Sequence, residues 1–179
     1  MKKYKTILAT PSWSKKQGDI KDIIDMSSFI NKISEDDCHL YIWITNNFLE
    51  EGLKVMSSWG FRYITKVTWF KKGKIGLGQY FRGVTEDCLF GIKGKLPYKV
   101  KNGIRQQGVT GFMSVRDRYG EKPEEMKHMI EKVSYPPYVE LFAELPKTND
   151  IFQNSKKDTW DYIEKEKNEN TRSKSNNFC

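Results

Sequence analysis

Short apolar runs, set apart by turn residues and by stretches with helical spacing, constrain this chain most. Lys5–Ala9, Cys38–Ile44, Phe61–Phe70, Cys88–Ile92 and Pro137–Phe142 are rich in β-branched or aromatic residues and bounded by polar punctuation, the pattern of strands. Gln17–Ile33 carries Ile20, Ile23, Ile24, Ile30 and Ile33, which predicts one or two short helices, the second capped by Ser27 or Ser28. Asn47 and Glu50 have capping-box spacing, Leu49, Leu53 and Met56 recur at helical spacing to Trp59, and Gly60 stops that helix. Lys122-Pro-Glu-Glu opens a further helix with a proline in its first turn, and Met126, Met129, Ile130 and Val133 share one face. Strand and helix alternating in this way predict an α/β fold with a largely parallel central sheet flanked by helices.

A chain of 179 residues with 37% hydrophobic content suits one domain with a real core. That domain is expected over residues 1–155. Residues 156–179 are Lys, Glu, Asn and Ser with little to bury, and read as a charged, partly disordered tail with a short helix around Trp160 to Lys165. The formal net charge of +8 points to a polyanionic partner. Lys71–Gly78 is a basic, glycine-rich loop that lacks the closing Gly-Lys-Ser/Thr of a phosphate-binding P-loop. Lys93–Gly111 is polar, basic and glycine-punctuated, and reads as a mobile loop. Cys38, Cys88 and Cys179 are far apart and odd in number, and His39 and His128 show no ligand spacing, so neither a metal site nor a disulfide framework is expected. No signal peptide and no apolar stretch of membrane-spanning length stands out, so the expected setting is cytoplasmic, with no membrane.

The first run ends abruptly in Thr10-Pro11-Ser12-Trp13. Pro11 fixes its own φ and pushes Thr10 toward an extended conformation, giving a stiff turn that presents a hydroxyl, a carbonyl and an indole at a strand end. In open α/β sheets ligands bind outside the carboxyl ends of the strands. This turn resembles the Asp-Pro-Pro-Trp catalytic loop of the MT-A70 family of S-adenosylmethionine-dependent adenine-N6 methyltransferases. Further pieces resemble that family in its order: Leu40-Tyr-Ile-Trp-Ile-Thr-Asn-Asn47, Ser58-Trp-Gly-Phe-Arg-Tyr63, Val67-Thr-Trp-Phe-Lys71, Gly76 to Arg82 with Glu86, Leu89-Phe-Gly-Ile-Lys-Gly94, Glu121-Lys-Pro-Glu-Glu125 and Val139-Glu-Leu-Phe-Ala143.

The resemblance implies a permuted Rossmann-like methyltransferase, with the catalytic loop early in the chain and the cofactor-binding strand late. It implies S-adenosylmethionine as cofactor and methyl transfer to an exocyclic amine of a nucleobase, adenine N6 in DNA first and cytosine N4 second. Thr10, Pro11, Ser12 and Trp13 become the catalytic set: Thr10 and the Pro11 carbonyl accept the amino hydrogens, and Trp13 stacks on the base. Lys122, Phe142, Glu144 and Asn154 become the cofactor contacts. Lys71, Lys72, Lys74, Arg82, Lys93, Lys95, Lys99 and Lys101 are the expected nucleic-acid contacts, on DNA in preference to RNA, and a homo- or heterodimer is an expected state. The departures are Thr10 for the family's Asp, Ser12 for its second Pro and Glu144 for its Arg. They leave open a catalytically inactive relative that binds nucleic acid or a partner methyltransferase.

Overall fold

The computed structural model describes residues 1–13, 19–73, 75–76, 78–115, 122–143 and 159–164. Tyr4–Ala9 (β1) is followed by the short helices Asp19–Asp25 (α1) and Ser27–Ile33 (α2) and by Ser34–Ile44 (β2). A 3-10 turn at Asn46–Phe48 leads into Leu49–Ser58 (α3), Arg62–Lys72 (β3) and Thr85–Lys93 (β4). Val100–Lys101 (β5) and Ile104–Arg105 (β6) pair as a hairpin. Gly111–Val115 (β7), Glu124–Val133 (α4), Tyr138–Ala143 (β8) and Trp160–Glu164 (β9) complete the order.

One seven-stranded sheet runs β7-β3-β4-β2-β1-β8-β9. β1 is parallel to β2 and β8, β8 to β9, and β3 to β7, whereas β4 is antiparallel to both β2 and β3. All the strands but β4 therefore end at one edge, and β4 begins there.

Both faces of the sheet are buried. Ile7, Ala9, Leu40, Ile42, Ile44, Val139 and Leu141 pack with Ile23 of α1, Ile30 and Ile33 of α2 and Val55 and Met56 of α3. Leu8, Tyr41, Trp43, Trp69 and Tyr138 pack with Met126 and Ile130 of α4 on the other face. Each such aliphatic side chain contributes roughly 1.5–3 kcal/mol by burial. Gly52 lets α3 lie close on the sheet, since a Cβ there would meet Ile44 Cγ2 at 2.6 Å.

Some expectations are corrected. Trp160–Glu164 is a strand, not a helix, and it extends the sheet beyond residue 155. Its alternation explains this: Trp160 and Tyr162 join the α4-face cluster while Ile163 packs on the other. The basic stretch Lys93–Gly111 contains an ordered hairpin, because Asn102 and Gly103 take the left-handed conformation its turn requires (φ 52° and 74°). Neither Ser27 nor Ser28 caps α2: the Met26 carbonyl already accepts from Ile30 N at 2.9 Å, which places both serines inside the first turn. Asn47 makes no cap for α3 either, lying within the 3-10 turn ahead of it. The expected tail beyond residue 165 lies outside the described residues.

Candidate active site

β1 has β2 on one side, reached through α1 and α2, and β8 on the other, reached from β7 through α4. The two connections cover opposite faces, so the winding reverses between β1 and β8, where doubly wound sheets open a ligand crevice. Thr10 stands there, its N–H donating to the Leu141 carbonyl at 3.1 Å. Its hydroxyl lies 3.4 Å from Glu140 Oε1 as donor to that carboxylate. Glu140 Oε2 in turn pairs with Lys127 Nζ of α4 at 2.8 Å. Burial works against the Lys127 ammonium, but Glu140 beside it, with Tyr162 and Glu124 adding to the field, outweighs that and raises its pKa above the ordinary lysine value.

Phe142 has φ 61°, a conformation that side chains other than glycine rarely adopt. Strict alternation would set it beside Tyr138 and Glu140 on the α4 face, yet it packs against the cluster on the opposite face. Glu140 is thereby the last α4-face side chain of β8. Pro11 is buried and Ser12 exposed. Trp13 is half-buried: its indole N–H donates to the Trp43 carbonyl at 2.6 Å and its ring stacks on Phe48 at 5.8 Å.

A second charged cluster lies along the same edge. Glu86, buried at the start of β4, pairs with both Lys71 at the end of β3 and Lys122 just ahead of α4. Burial pushes the Glu86 carboxyl up, but the ammonium groups of Lys122 and Lys71 together outweigh it and hold it below the ordinary carboxylate value. Lys122 Nζ also lies 5.3 Å from the centre of the Trp43 ring, whose buried indole N–H has no hydrogen-bond partner among the described residues.

Thr-Pro-Ser-Trp thus stands at the switch point of a doubly wound sheet. The MT-A70 family model matches residues 4–161. The chain belongs to the MT-A70 family. It is similar to the N(6)-adenosine-methyltransferase subunit METTL3 of Danio rerio, at 27% identity over 143 residues, covering 74% of this chain and 24% of that protein. Human METTL3, a catalytic subunit, is 25% identical with the same coverage. The type II methyltransferase M.MunI of Mycoplasma sp is 29% identical over 174 residues, covering 79% of this chain and 72% of M.MunI. The chain thus spans about a quarter of the METTL3 relatives and most of M.MunI.

MT-A70 methyltransferases use S-adenosylmethionine as methyl donor. The residues at this edge fit that group. Its amino-acid end carries a carboxylate and an ammonium and its ribose carries hydroxyls. Lys122 supplies a cation, Glu140 an anion, and the buried Trp43 N–H a donor with no partner among the described residues.

The structure gathers Thr10, Pro11, Trp13, Lys122 and Phe142 at one edge, with Ser12 exposed beside them. Glu144, Asn154 and Lys74 lie outside the described residues. The expected nucleic-acid contacts do not form one patch. Lys71 is a correction: its ammonium is buried against Glu86, so it is no exposed phosphate contact. Lys72 and Arg82 are exposed at the edge that carries Thr10. Lys93 bonds Asn31 and Ser34, and the Lys95 backbone N–H bonds Asp37, all toward the opposite edge. Lys99 and Lys101 belong to the hairpin beside α4.

Glu86, Glu140 and Lys127 had no assigned role in the sequence reading. Glu140 carries a signal, an acid inside the apolar run Tyr-Val-Glu-Leu-Phe, where a carboxylate is tolerated only if paired, whereas Glu86, between Thr85 and Asp87, and Lys127, on a charged helix, carry none.

Proposed function

We propose that this chain transfers the methyl group of S-adenosylmethionine to an exocyclic amine of a nucleobase, adenine N6 in DNA first and cytosine N4 second. The observation that carries this reading is the meeting of Thr10 with Glu140 at the switch point of an MT-A70 sheet. The cofactor, when bound, supplies an electrophilic methyl on a sulfonium. Lys122 would hold its carboxylate and Glu140 its amino group or ribose hydroxyls. Thr10 is neutral, and a neutral acceptor is about half as strong as an ionised one. Its hydroxyl proton is directed at Glu140, however, which leaves the oxygen lone pairs for an amino hydrogen and polarises them. The carboxylate missing at position 10 is therefore one hydrogen bond away. The Pro11 carbonyl takes the second amino hydrogen. Trp13, fixed by Trp43 and Phe48, borders the base.

DNA is preferred because the chain spans 72% of M.MunI, a type II methyltransferase, against 24% of METTL3. A target in a duplex must be flipped out of the stack to reach this edge. Exposed Lys72 and Arg82 would meet the flanking phosphates. A second subunit is part of the reading, since the METTL3 relatives are themselves subunits. Free thiols at Cys38 and Cys88 suit a reducing, cytoplasmic setting.

The neutral Thr10 favours one other reading, a cofactor-binding relative that has lost turnover. Incubation with labelled S-adenosylmethionine and mixed DNA and RNA, followed by mass spectrometry of the nucleosides, separates the two. N6-methyladenine supports the enzyme. Saturable thermal stabilisation by the cofactor without any methylated base supports the inactive relative. Neither signal removes both.

A further inference from the structure

The second half of α4 and the β5–β6 hairpin enclose a cleft of about 340 Å³, lined by Lys99, Lys101, Gln106, His128, Glu131 and Lys132. We infer that this cleft binds a backbone phosphate of the nucleic-acid strand whose base enters the catalytic edge; the inference rests on the proposed function and adds a separate site to it.

The charge balance of the lining carries the argument. Glu131 is its acid, and that carboxylate is already committed: Oε1 accepts from Trp160 Nε1 at 2.8 Å and from Thr159 Oγ1 at 3.2 Å, anchoring β9. Lys101 and Lys132 make no ion pair among the described residues. Net positive charge is thus left facing the cleft, with the Gln106 amide and the His128 ring as further polar groups. The carbonyl end of α4 would repel an anion. Lys99 Nζ occupies one of those carbonyls, that of Glu131, at 2.8 Å, and Lys132 lies in the last turn.

The walls are pre-formed. Lys99 N donates to the Val133 carbonyl at 3.2 Å and Gln106 N to the Lys99 carbonyl at 2.8 Å. Tyr135 OH donates to the Tyr98 carbonyl at 3.2 Å, and the Arg105 guanidinium lies 4.0 Å from the centre of the Tyr98 ring. A site held in shape loses less entropy on binding. Its position suits a strand rather than a mononucleotide. Lys122 precedes α4 at the catalytic edge, and ten helical residues span about 15 Å, roughly four phosphate spacings along one duplex strand.

The test uses the full chain and fluorescein-labelled single-stranded 12-mers, DNA and RNA, each with one central adenine, alongside a labelled trinucleotide. In anisotropy titrations, Lys101→Glu/Lys132→Glu should raise Kd for a 12-mer at least tenfold. The magnitude of its log–log salt slope should fall by about 1.4, two contacts at about 0.7 each on a single strand. The trinucleotide should not respond, and Lys101→Gln/Lys132→Gln should give a smaller loss of the same kind. Lys32→Glu, an exposed charge on α2, is the control for general electrostatics. Unchanged 12-mer affinity in the double variant, or an equal loss per charge in Lys32→Glu, overturns the site. Wild type that is stabilised by S-adenosylmethionine but binds no 12-mer at low salt also overturns it, with the cofactor reading intact. Wild type that binds through the cleft but shows no response to S-adenosylmethionine leaves the site standing and removes the methyl-transfer reading.

Discussion

The two ends of α4 handle charge in opposite ways. At its start, Lys122 and Lys71 share Glu86, and Lys127 meets Glu140, so each buried cation has an acid. Toward its end, Lys101 and Lys132 face a cleft whose acid is spent on β9. Ion pairs withdrawn from water are costly to break and fix geometry, whereas unpaired exposed cations cost little and attract anions at a distance. The first arrangement suits a small zwitterionic ligand that exchanges partners with the protein. The second suits a polymer of phosphates.

The sharpest way to break this comparison is Glu86→Ala. Lys71 and Lys122 would be left close together without their acid, at a cost of about 3–5 kcal/mol. Chemical denaturation should show that loss, while Lys101→Glu/Lys132→Glu should unfold near the wild-type midpoint. Equal stability for the two variants would erase the distinction. Acid titration tests the same end. The Glu86 pKa is depressed in the fold, so its contribution is present above the ordinary carboxylate value of 4.5 and is lost as pH falls through the lower, folded one.

Next in size is Trp13→Ala. It removes the indole that borders the proposed base site, together with its bond to the Trp43 carbonyl. Loss of base stacking of about 1–3 kcal/mol should raise KM for the nucleic acid, with cofactor affinity measured by calorimetry little changed. An equal loss of cofactor affinity would make Trp13 a packing residue alone.

Thr10→Asp follows, at about tenfold, or about 1.4 kcal/mol. The substitution restores an ionised acceptor but sets it beside Glu140, and like charges that close resist joint ionisation. Turnover at saturating cofactor should rise in Thr10→Asp and rise further when Glu140→Gln removes the repulsion. If neither variant exceeds wild type, Thr10 is not the amine acceptor.

The turn at Thr10-Pro11-Ser12-Trp13 and the succession of strands and helices along the chain are legible in the sequence because both are local. Pro11 after an apolar run, and strands alternating with amphipathic helices, announce themselves within a few residues. β9 was hidden because Trp160–Glu164 stands in a polar stretch and its alternation spans only five residues. The Glu86 cluster was hidden for a different reason: Lys71, Glu86 and Lys122 are brought together by antiparallel pairing and by the return of α4, which no spacing encodes. The scatter of Lys93, Lys95, Lys99 and Lys101 over separate surfaces has the same cause, since β4 carries the chain away from the edge that holds Thr10 before the hairpin begins.

The smallest effect concerns what supports the cleft end of α4. Ser134, just past the helix, accepts from Tyr41 OH at 2.8 Å and gives its own proton to His39 Nδ1 at 2.7 Å, while His39 Nε2–H donates to the Leu96 carbonyl at 3.3 Å. The Leu96 carbonyl, which can only accept, fixes a proton on Nε2, and a ring kept neutral by burial leaves Nδ1 to accept from Ser134 and Ser134 from Tyr41. Burial lowers the His39 pKa below its ordinary 6.5, against a weaker opposing pull from the Leu96 carbonyl. The neutral ring is thus the folded form, so stability is complete above 6.5 and falls as pH drops from there toward the folded pKa, where the unfolded chain binds the extra proton. Each pH unit inside that window costs at most about 1.4 kcal/mol. Thermal melts between pH 7 and 5 lie above the Glu86 window, so they isolate this group. Wild type should lose Tm across that range more steeply than His39→Gln, which has no proton to take up. Parallel melting curves would mean that His39 takes up a proton as readily in the fold as in the unfolded chain, and the neutral network that supports the cleft end of α4 would fail at this residue.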